Sequence, residues 1–238
     1  MAIQLTKAGD LGGLVHVKAL LHGNSGAGKT WASVSAPSPI VLLTEANGMA
    51  SIKNANPDAI VVHAKDMGVV REFFQEAMSG TFSDAGCKTI VVDSLTEIQR
   101  MMRDEIMVGR ENYADFSMKD WGELTERMRR FVRILRDVPY HVVATALSQV
   151  SEDDGGTRHI VPQFQGRAIG NEIAGYFSLV GYVHKREVEN QDGGKEILRR
   201  TMLEGPSRVL CKPCGSLGGV VESNVTDWIR QISGDEAV

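Results

Sequence analysis

Short continuous runs of apolar residues alternate along the chain with segments in which apolar residues recur at helical spacing. Continuous apolar runs are typical of strands buried on both faces of a parallel sheet, and the helical spacing indicates amphipathic helices. The predicted strands are residues 14–21, 39–44, 59–62, 89–93 and 140–147. The predicted helices are residues 30–36, 66–79, 94–107 and 124–135. The alternation predicts an α/β fold with a mainly parallel central sheet and helices on both faces.

The pattern changes after residue 150. Residues 151–165 are polar and contain glycine, which predicts a loop. Residues 176–188 and 195–203 are predicted strands, and the intervening NQDGG sequence favours a hairpin. A short helix is predicted over residues 224–232. We therefore expect a single domain over residues 1–238, made of an N-terminal extension (1–13), a core (14–150) and a C-terminal antiparallel extension (151–238).

Composition and charge narrow the class of protein. With 238 residues, 42% of them hydrophobic and 24% charged, the chain is ordinary for a soluble globular protein. It has neither a long apolar run nor the apolar segment of a signal peptide near its N-terminus, so we expect a cytoplasmic protein without a membrane partner. The net charge of −4 argues against bulk attraction to nucleic acid but leaves room for a local basic groove.

Three cysteines give little indication of a disulfide framework, because their number is odd. Cys211 and Cys214 form a C-x-x-C sequence, but no second pair and no suitably spaced histidine completes a zinc site. The six histidines are scattered along the chain without the spacing of metal ligands. A role for Cys211 and Cys214 in metal binding or redox chemistry is therefore a minor alternative.

Residues 23–30, GNSGAGKT, match the phosphate-binding motif G-x-x-x-x-G-K-[ST] between a predicted strand and a predicted helix. In that motif glycines let the backbone N–H groups approach phosphate oxygens at the positive end of the helix. Lys29 is expected to reach the β- and γ-phosphates, and the Thr30 hydroxyl to bind Mg²⁺. The predicted nucleotide-binding residues are Gly23, Asn24, Ser25, Gly26, Ala27, Gly28, Lys29 and Thr30.

Acidic and amide side chains follow other predicted strands, where open α/β sheets bind their ligands. Asp93 ends strand 89–93 and is the expected second ligand of Mg²⁺. Glu45 follows strand 39–44 and is the favoured acid for activating water; Glu97 is the alternative, although a capping box with Ser94 already explains it. Gln149 follows strand 140–147 and, by analogy with γ-phosphate sensors, is expected to pass the nucleotide state to the next segment.

These motifs, in this order, resemble the RecA-like recombinase core. More narrowly, they are similar to the phage-encoded, core-only RecA-type ATPases of single-strand annealing or recombination. The motifs are GNSGAGKT (23–30), LLTEAN (42–47), TIVVDS (89–94), ATALSQV (144–150) and PQFQGR (162–167). The resemblance implies a RecA-like P-loop NTPase core and a DNA-stimulated ATPase that uses ATP and Mg²⁺, with Lys29, Glu45 and Gln149 as its catalytic residues.

The resemblance also implies partners: single-stranded DNA, further copies of the chain in a ring or filament, and a single-strand-binding protein, in the cytoplasm of a bacterial host cell. The segment after Gln149 would bind DNA, although residues 152–154 make its start acidic. The candidate DNA-binding residues are Arg158, His159, Phe164 and Arg167. Arg208 and Lys212 are the candidates for reaching a neighbour's nucleotide, but Cys214 stands where a second basic residue is expected.

Two alternatives remain open at the level of the sequence. The first is a P-loop ATPase that acts on a protein partner, as a loader, packaging or regulatory ATPase; the acidic net charge favours it. The second is a small-molecule kinase, for which no lid or acceptor-binding motif is visible. Arg129, Arg133 and Arg136 share one helix face that could follow a phosphate backbone, although such a stripe is more often a solvated surface.

Overall fold

The computed structural model describes residues 15–110, 116–189 and 194–234. The strands are β1 (Lys18–Gly23), β2 (Pro39–Leu43), β3 (Ile60–His63), β4 (Thr89–Asp93), β5 (His141–Glu152), β6 (Arg158–Pro162), β7 (Leu179–Glu189), β8 (Lys195–Met202) and β9 (Val220–Glu222). The α-helices are α1 (Lys29–Ser33), α2 (Met49–Ala55), α3 (Met67–Ser79), α4 (Thr81–Asp84), α5 (Leu95–Ile106), α6 (Met118–Asp137), α7 (Arg167–Glu172) and α8 (Val225–Ser233). Two 3₁₀-helices cover Ala46–Gly48 and Ile173–Tyr176.

The strands form one sheet in the order β3-β2-β4-β5-β1-β7-β8-β9, with β6 paired to the far end of β5. Over the part of the chain that is described, the strands from β3 to β7 in this order are parallel, and β8 and β9 continue the sheet antiparallel. The predicted fold class is therefore confirmed, including the antiparallel C-terminal strands. Because β5 lies between β1 and β4, it separates the strand that precedes the glycine-rich motif from the strand that ends in Asp93.

Side chains from successive residues of the central strands enter two hydrophobic cores, one on each face of the sheet. On β2, for example, Ile40 and Leu42 pack in one core while Val41 and Leu43 pack in the other. Strand side chains alternate between faces, so a continuous apolar run supplies both cores at once. Helices α3 to α7 cover one face, and α1, α2 and α8 cover the other.

Helix α6 begins at Met118, six residues before the predicted start at residue 124. A capping box explains the difference: the Asp120 backbone N–H donates to the Ser117 hydroxyl, and the Asp120 carboxylate accepts from the Ser117 backbone N–H at 2.8 Å. Arg110 donates to the same carboxylate at 2.7 Å and 3.0 Å. The Arg110 and Ser117 contacts hold the pKa of Asp120 well below its usual range.

The segment predicted as a loop, residues 151–165, is largely a β-hairpin, and that prediction is wrong. Strand β5 continues to Glu152 and pairs antiparallel with β6, with Gln149 opposite Val161. The turn forms because the Asp153 carboxylate accepts from the backbone N–H groups of Gly155 and Thr157, each at 2.9 Å. The paired parts of both strands are partly exposed and carry polar residues, so they lack the continuous apolar run that identified the other strands. The sequence also did not predict α2, α4, α7 or β9.

None of the helices in the described ranges is both long enough and apolar enough to cross a membrane.

Candidate nucleotide-binding site

The glycine-rich motif forms the turn between β1 and α1. Gly26 and Gly28 have positive φ angles of 73° and 106°, a region that residues with a side chain rarely adopt. At Gly23 a side chain would collide with the backbone oxygen of Val183 on the neighbouring strand β7. The glycines of the motif therefore meet backbone requirements of this turn. Helix α1 ends at Ser33, short of the predicted residue 36.

Lys29 lies inside this turn and is buried. Its ammonium donates to the backbone oxygens of Gly23 and Asn24, each at 2.9 Å, which closes the turn around the side chain. Burial lowers the pKa of Lys29, while the nearby carboxylates of Asp93 and Glu45 act in the opposite direction. A phosphate group is the ligand that such a buried cation at the mouth of a glycine turn fits.

Thr30 and Asp93, the two residues predicted to bind Mg²⁺, are in direct contact. The Thr30 hydroxyl donates to Asp93 Oδ2 at 2.7 Å. The Thr145 hydroxyl on β5 donates to the other carboxylate oxygen, Oδ1. Thr44 at the end of β2 donates to the Asp93 backbone oxygen at 3.0 Å and accepts from the backbone N–H of Ser94 at 3.0 Å. Three strands therefore fix this acid, and the hard oxygen ligands that Mg²⁺ prefers stand together beside the glycine turn.

These residues line a cavity with a volume of about 280 Å³. Glu45 lies on its wall, exposed, and its carboxylate accepts no hydrogen bond from the residues that the structure describes. Glu97, the alternative acid, binds Arg100 at 2.9 Å on its own helix and does not line the cavity. The geometry therefore places Glu45, and not Glu97, on the wall of the cavity that Lys29 and Asp93 also line.

Arg199 and Trp31 also line the cavity, and the sequence did not point to either of them. Arg199 lies on β8, and its guanidinium carbon is 5.7 Å from the centre of the Trp31 ring, a distance at which a cation and an aromatic ring attract. Trp31 directly follows the motif, so its nearness to the nucleotide could have been read from the sequence. Arg199 is far from the motif along the chain, and no sequence pattern reveals the contact.

Gln149 lies outside the nucleotide cavity, in a neighbouring cavity of about 530 Å³. Leu147, two residues earlier on β5, lines the nucleotide cavity. Asp153 and His159 of the β5–β6 hairpin line the larger cavity together with Gln149. The structure therefore does not bring Gln149 beside Lys29 and Glu45. Strand β5 nevertheless links the two cavities, because it lines both of them.

A buried histidine holds β5 in place at Ser148, the residue before Gln149. His22 on β1 is fully buried. Its two ring nitrogens are hydrogen-bonded to the Ser148 hydroxyl, at 2.8 Å, and to the Leu210 backbone oxygen, at 2.7 Å. Because Leu210 offers an acceptor, Nε2 carries the proton and Nδ1 accepts from Ser148. Burial lowers the pKa of His22 to about 4, against a smaller opposing contribution from the Leu210 oxygen. The imidazole is therefore neutral near pH 7.

The candidate DNA-binding residues lie in or next to the hairpin, and two of them, Arg158 and His159, already have acidic partners. Arg158 is 3.6 Å from Glu152, and His159 is 2.9 Å from Asp153. Phe164 differs from expectation: it is buried in the core and is not available to stack on a base. The sequence could not show this, because an apolar residue in a polar segment is consistent with either role. Arg167 begins α7, and its side chain lies outside the described part of the chain.

The two residues expected to reach a neighbouring protomer have different surroundings. Arg208 is exposed. Lys212 is turned inward: its ammonium donates to the backbone oxygens of Phe177 at 2.7 Å and Ala174 at 3.4 Å. Lys212 thus satisfies carbonyl groups at the end of the 3₁₀-helix Ile173–Tyr176, which corrects the expectation that it is free to act in trans.

The arginine stripe of α6 is partly neutralised. Arg129 binds the Glu172 carboxylate of α7 through two nitrogens at 2.8 Å and 2.5 Å, and Arg136 binds Asp137 at 2.6 Å. Arg129 therefore joins α6 to α7, whereas Arg136 pairs within α6.

The cysteines are free thiols, and burial raises the pKa of Cys211 to about 11 and that of Cys214 above its usual value. Among the described residues, no group of three or more histidine, cysteine, aspartate or glutamate side chains is arranged to hold a metal ion.

Comparison with known proteins gives the family. The family model described as an AAA domain matches residues 16–211, which is most of the chain. The chain therefore belongs to the AAA domain family and is a P-loop ATPase of that type. Its match includes the glycine-rich turn, Glu45, Asp93 and the β5–β6 hairpin. No curated protein matches the chain.

Proposed function

We propose that this P-loop ATPase binds and hydrolyses ATP with Mg²⁺ and couples the hydrolysis to single-stranded DNA in phage recombination or strand annealing. The observation that carries the proposal is the course of β5. One strand contacts Asp93 through Thr145, lines the nucleotide cavity at Leu147 and continues into the hairpin that contains the DNA-binding candidates. A change at the nucleotide is thus transmitted to the hairpin along a rigid element.

Each part of the ATPase has a residue assigned to it. Lys29 contacts the β- and γ-phosphates once its present carbonyl partners are exchanged for phosphate oxygens. Thr30 and Asp93 hold Mg²⁺, which neutralises charge on the phosphates. Glu45 accepts a proton from the attacking water, since its carboxylate is exposed in the cavity and accepts no hydrogen bond among the described residues.

Gln149 is the switch between the two sites. It stands on the wall of the hairpin cavity, two residues beyond Leu147 and next to Ser148, which His22 holds in place. Because Leu147 and Gln149 lie on the same strand, a shift of β5 at the nucleotide cavity also changes what Gln149 faces in the hairpin cavity. ATP binding therefore alters the hairpin without a direct contact to it.

DNA binding uses Arg158, His159 and Arg167, together with further copies of the chain assembled in a ring or filament. The phosphates of DNA compete with Glu152 and Asp153 for Arg158 and His159, so binding is expected only when the hairpin rearranges. The contact is mainly electrostatic and weakens steeply with added salt. A single-strand-binding protein is a further proposed partner.

The test measures ATP turnover with and without single-stranded DNA at a fixed salt concentration. We expect DNA to stimulate turnover in the wild type, and Gln149→Ala to keep basal turnover but lose the stimulation. Val150→Ala is the matched control, because Val150 is the next residue on β5, on the opposite face, and is 66% exposed. DNA that neither binds in the presence of ATP nor changes turnover contradicts the proposal.

A second candidate is an ATPase that acts on a protein partner, and the hairpin itself favours it. The turn carries three adjacent exposed acids, Glu152, Asp153 and Asp154, of which Asp154 has no ion-pair partner among the described residues. Such a surface repels DNA phosphates and suits a basic protein surface. Crosslinking of the purified chain in a cell extract distinguishes the two, since recovery of nucleic acid alone counts against a protein partner.

A further inference from the structure

We infer that Arg199 is a nucleotide-binding residue that reaches the phosphate chain from within the same protomer, with Trp31 holding its guanidinium over the glycine turn. The inference rests on nucleotide binding at this site and is independent of any role in DNA recombination. It adds to the site a cation that comes from the C-terminal hairpin, far from the motif in sequence.

The stem of Arg199 lies against the glycine turn. A side-chain carbon built on Gly28 would be 2.7 Å from Arg199 Cδ and 3.1 Å from its Nε. Only glycine at position 28 leaves room for this stem, in addition to meeting the positive φ angle there. Since Gly28 belongs to the stretch that surrounds phosphate, the stem leads the guanidinium into the phosphate end of the cavity.

Trp31 supplies the second anchor. Trp31 is 42% exposed at the first turn of α1, and the Arg199 guanidinium carbon is 5.7 Å from its ring centre. A planar cation above an indole is held in orientation without losing its hydrogen-bond donors, which remain free for a phosphate. The contacts with Gly28 and Trp31 therefore both direct the Arg199 guanidinium to the phosphate end of the cavity.

The charge of Arg199 is not used elsewhere. No described carboxylate forms an ion pair with it, whereas its neighbours on the hairpin are paired: Lys195 with Glu187, and Arg200 with Glu222 at 3.8 Å. Within the nucleotide cavity, Lys29 and Arg199 face the acids Glu45 and Asp93. Bound triphosphate adds strong negative charge, so a second cation in the cavity is favourable.

Strand pairing fixes Arg199 in this position. Strand β7 pairs with β1, with Tyr182 opposite His22, and β8 pairs with β7, with Arg199 opposite Lys185. Gly23 is packed directly against Val183 of β7, so the hairpin cannot move away from the glycine turn without breaking the sheet. Pairing through β7 therefore holds the exposed Arg199 beside the glycine turn.

The experiment compares two substitutions that separate charge from packing. Arg199→Met keeps an unbranched stem against Gly28 and Trp31 but removes the cation, whereas Arg199→Lys keeps the charge. We expect Arg199→Met to weaken MgATP binding at least about tenfold, which is about 1.4 kcal/mol. Arg199→Lys keeps the charge but loses the planar group that Trp31 orients, so its affinity should lie between those of Arg199→Met and the wild type. Titration calorimetry measures the affinities, and melting temperatures check that each variant is folded.

Arg200→Ala is the matched control, because Arg200 is the next residue on β8 and faces the other side of the strand. The dissociation constant of Arg200→Ala for MgATP should be within about twofold of the wild-type value. An Arg199→Met variant that binds as the wild type does would show a packing role and overturn the inference alone. A folded wild-type chain that binds no MgATP would overturn the ATPase proposal as well.

Trp31 gives an independent readout. We expect MgATP to change the tryptophan emission of the wild type, and Arg199→Met to reduce that change. Trp31→Phe should remove it, because Trp121 packs against Phe116 and Trp228 is buried on α8, and neither of them lines the cavity. An emission change that is the same size in Arg199→Met as in the wild type counts against contact between Arg199 and the nucleotide.

Discussion

The nucleotide-binding site and the β5–β6 hairpin share a strand but are built in opposite ways. At the site, the side chains of Thr30 on α1, Thr44 after β2 and Thr145 on β5 converge on Asp93. Lys29 is enclosed by the glycine turn. In the hairpin, Arg158 and Glu152 pair at 3.6 Å with their side chains 77% and 59% exposed. A buried, many-partnered arrangement is expected to be rigid, and an exposed pair is expected to exchange partners easily. The difference indicates a fixed chemical site joined to an adaptable contact surface.

The largest expected effect comes from removing the acid that stands free in the rigid site. Glu45→Gln should leave MgATP binding intact and reduce turnover at least about 100-fold, because a positioned general base contributes factors of that size. Steady-state phosphate release and equilibrium binding measure the two quantities. Glu97→Gln is the matched control, since Glu97 lies outside the cavity; a loss of turnover there, with full turnover in Glu45→Gln, would move the catalytic role to Glu97.

Removing the enclosed cation should act on binding. Lys29→Ala takes away the donor expected to contact the β- and γ-phosphates, so MgATP affinity should fall by roughly 10- to 100-fold, the range for hydrogen bonds to charged groups. Calorimetric titration measures the loss. Lys65→Ala is the control, because Lys65 is exposed and outside the cavity. Unchanged affinity in Lys29→Ala would contradict the assignment of the glycine turn as the phosphate site.

Lowering the pH should destabilise the fold at His22, which holds β5 between the nucleotide-binding site and the hairpin. Burial lowers the pKa of His22 from 6.5 to about 4, so the unfolded chain binds more protons than the folded one between these values. The stabilisation is fully present above pH 6.5 and is lost as pH falls toward 4, by roughly 2 kcal/mol at pH 5.

Urea unfolding at pH 7 and pH 5 measures this dependence. His22→Gln should be less stable at pH 7 and should show a smaller drop between the two pH values. His159→Gln is the control, since His159 is partly exposed in the hairpin and pairs with Asp153 there. If the free energy of unfolding of His22→Gln falls between pH 7 and pH 5 as much as that of the wild type, groups other than His22 cause the acid sensitivity.

The smallest expected effect is on the stability of the hairpin. Arg158→Ala removes an exposed ion pair, so the free energy of unfolding should change by no more than about 0.5 kcal/mol, and basal ATP turnover should stay the same. Thermal melting and phosphate release check this. A large loss of stability would show that the hairpin is as tightly built as the nucleotide site, which would remove the contrast between the two regions.

Local patterns predicted much of this structure. The apolar runs located the parallel strands to within a few residues, because a strand buried on both faces needs an apolar residue at nearly every position. The hairpin β5–β6 was missed since its strands are partly exposed and polar, so they resemble a loop. Helix α6 started earlier than predicted because the capping box of Ser117 and Asp120 precedes its apolar face.

By itself, the sequence determined the α/β fold class, the glycine turn over residues 23–30 and the position of Asp93 at the end of a strand. These features depend on residues close together in the chain, which fix backbone conformation and strand ends directly. Only the tertiary structure decided that Arg199 lies over Gly28, that Lys212 turns inward and that Gln149 faces a second cavity. Those contacts join residues far apart in the chain, and they follow from the order in which strands pair, which hydrophobic periodicity does not encode.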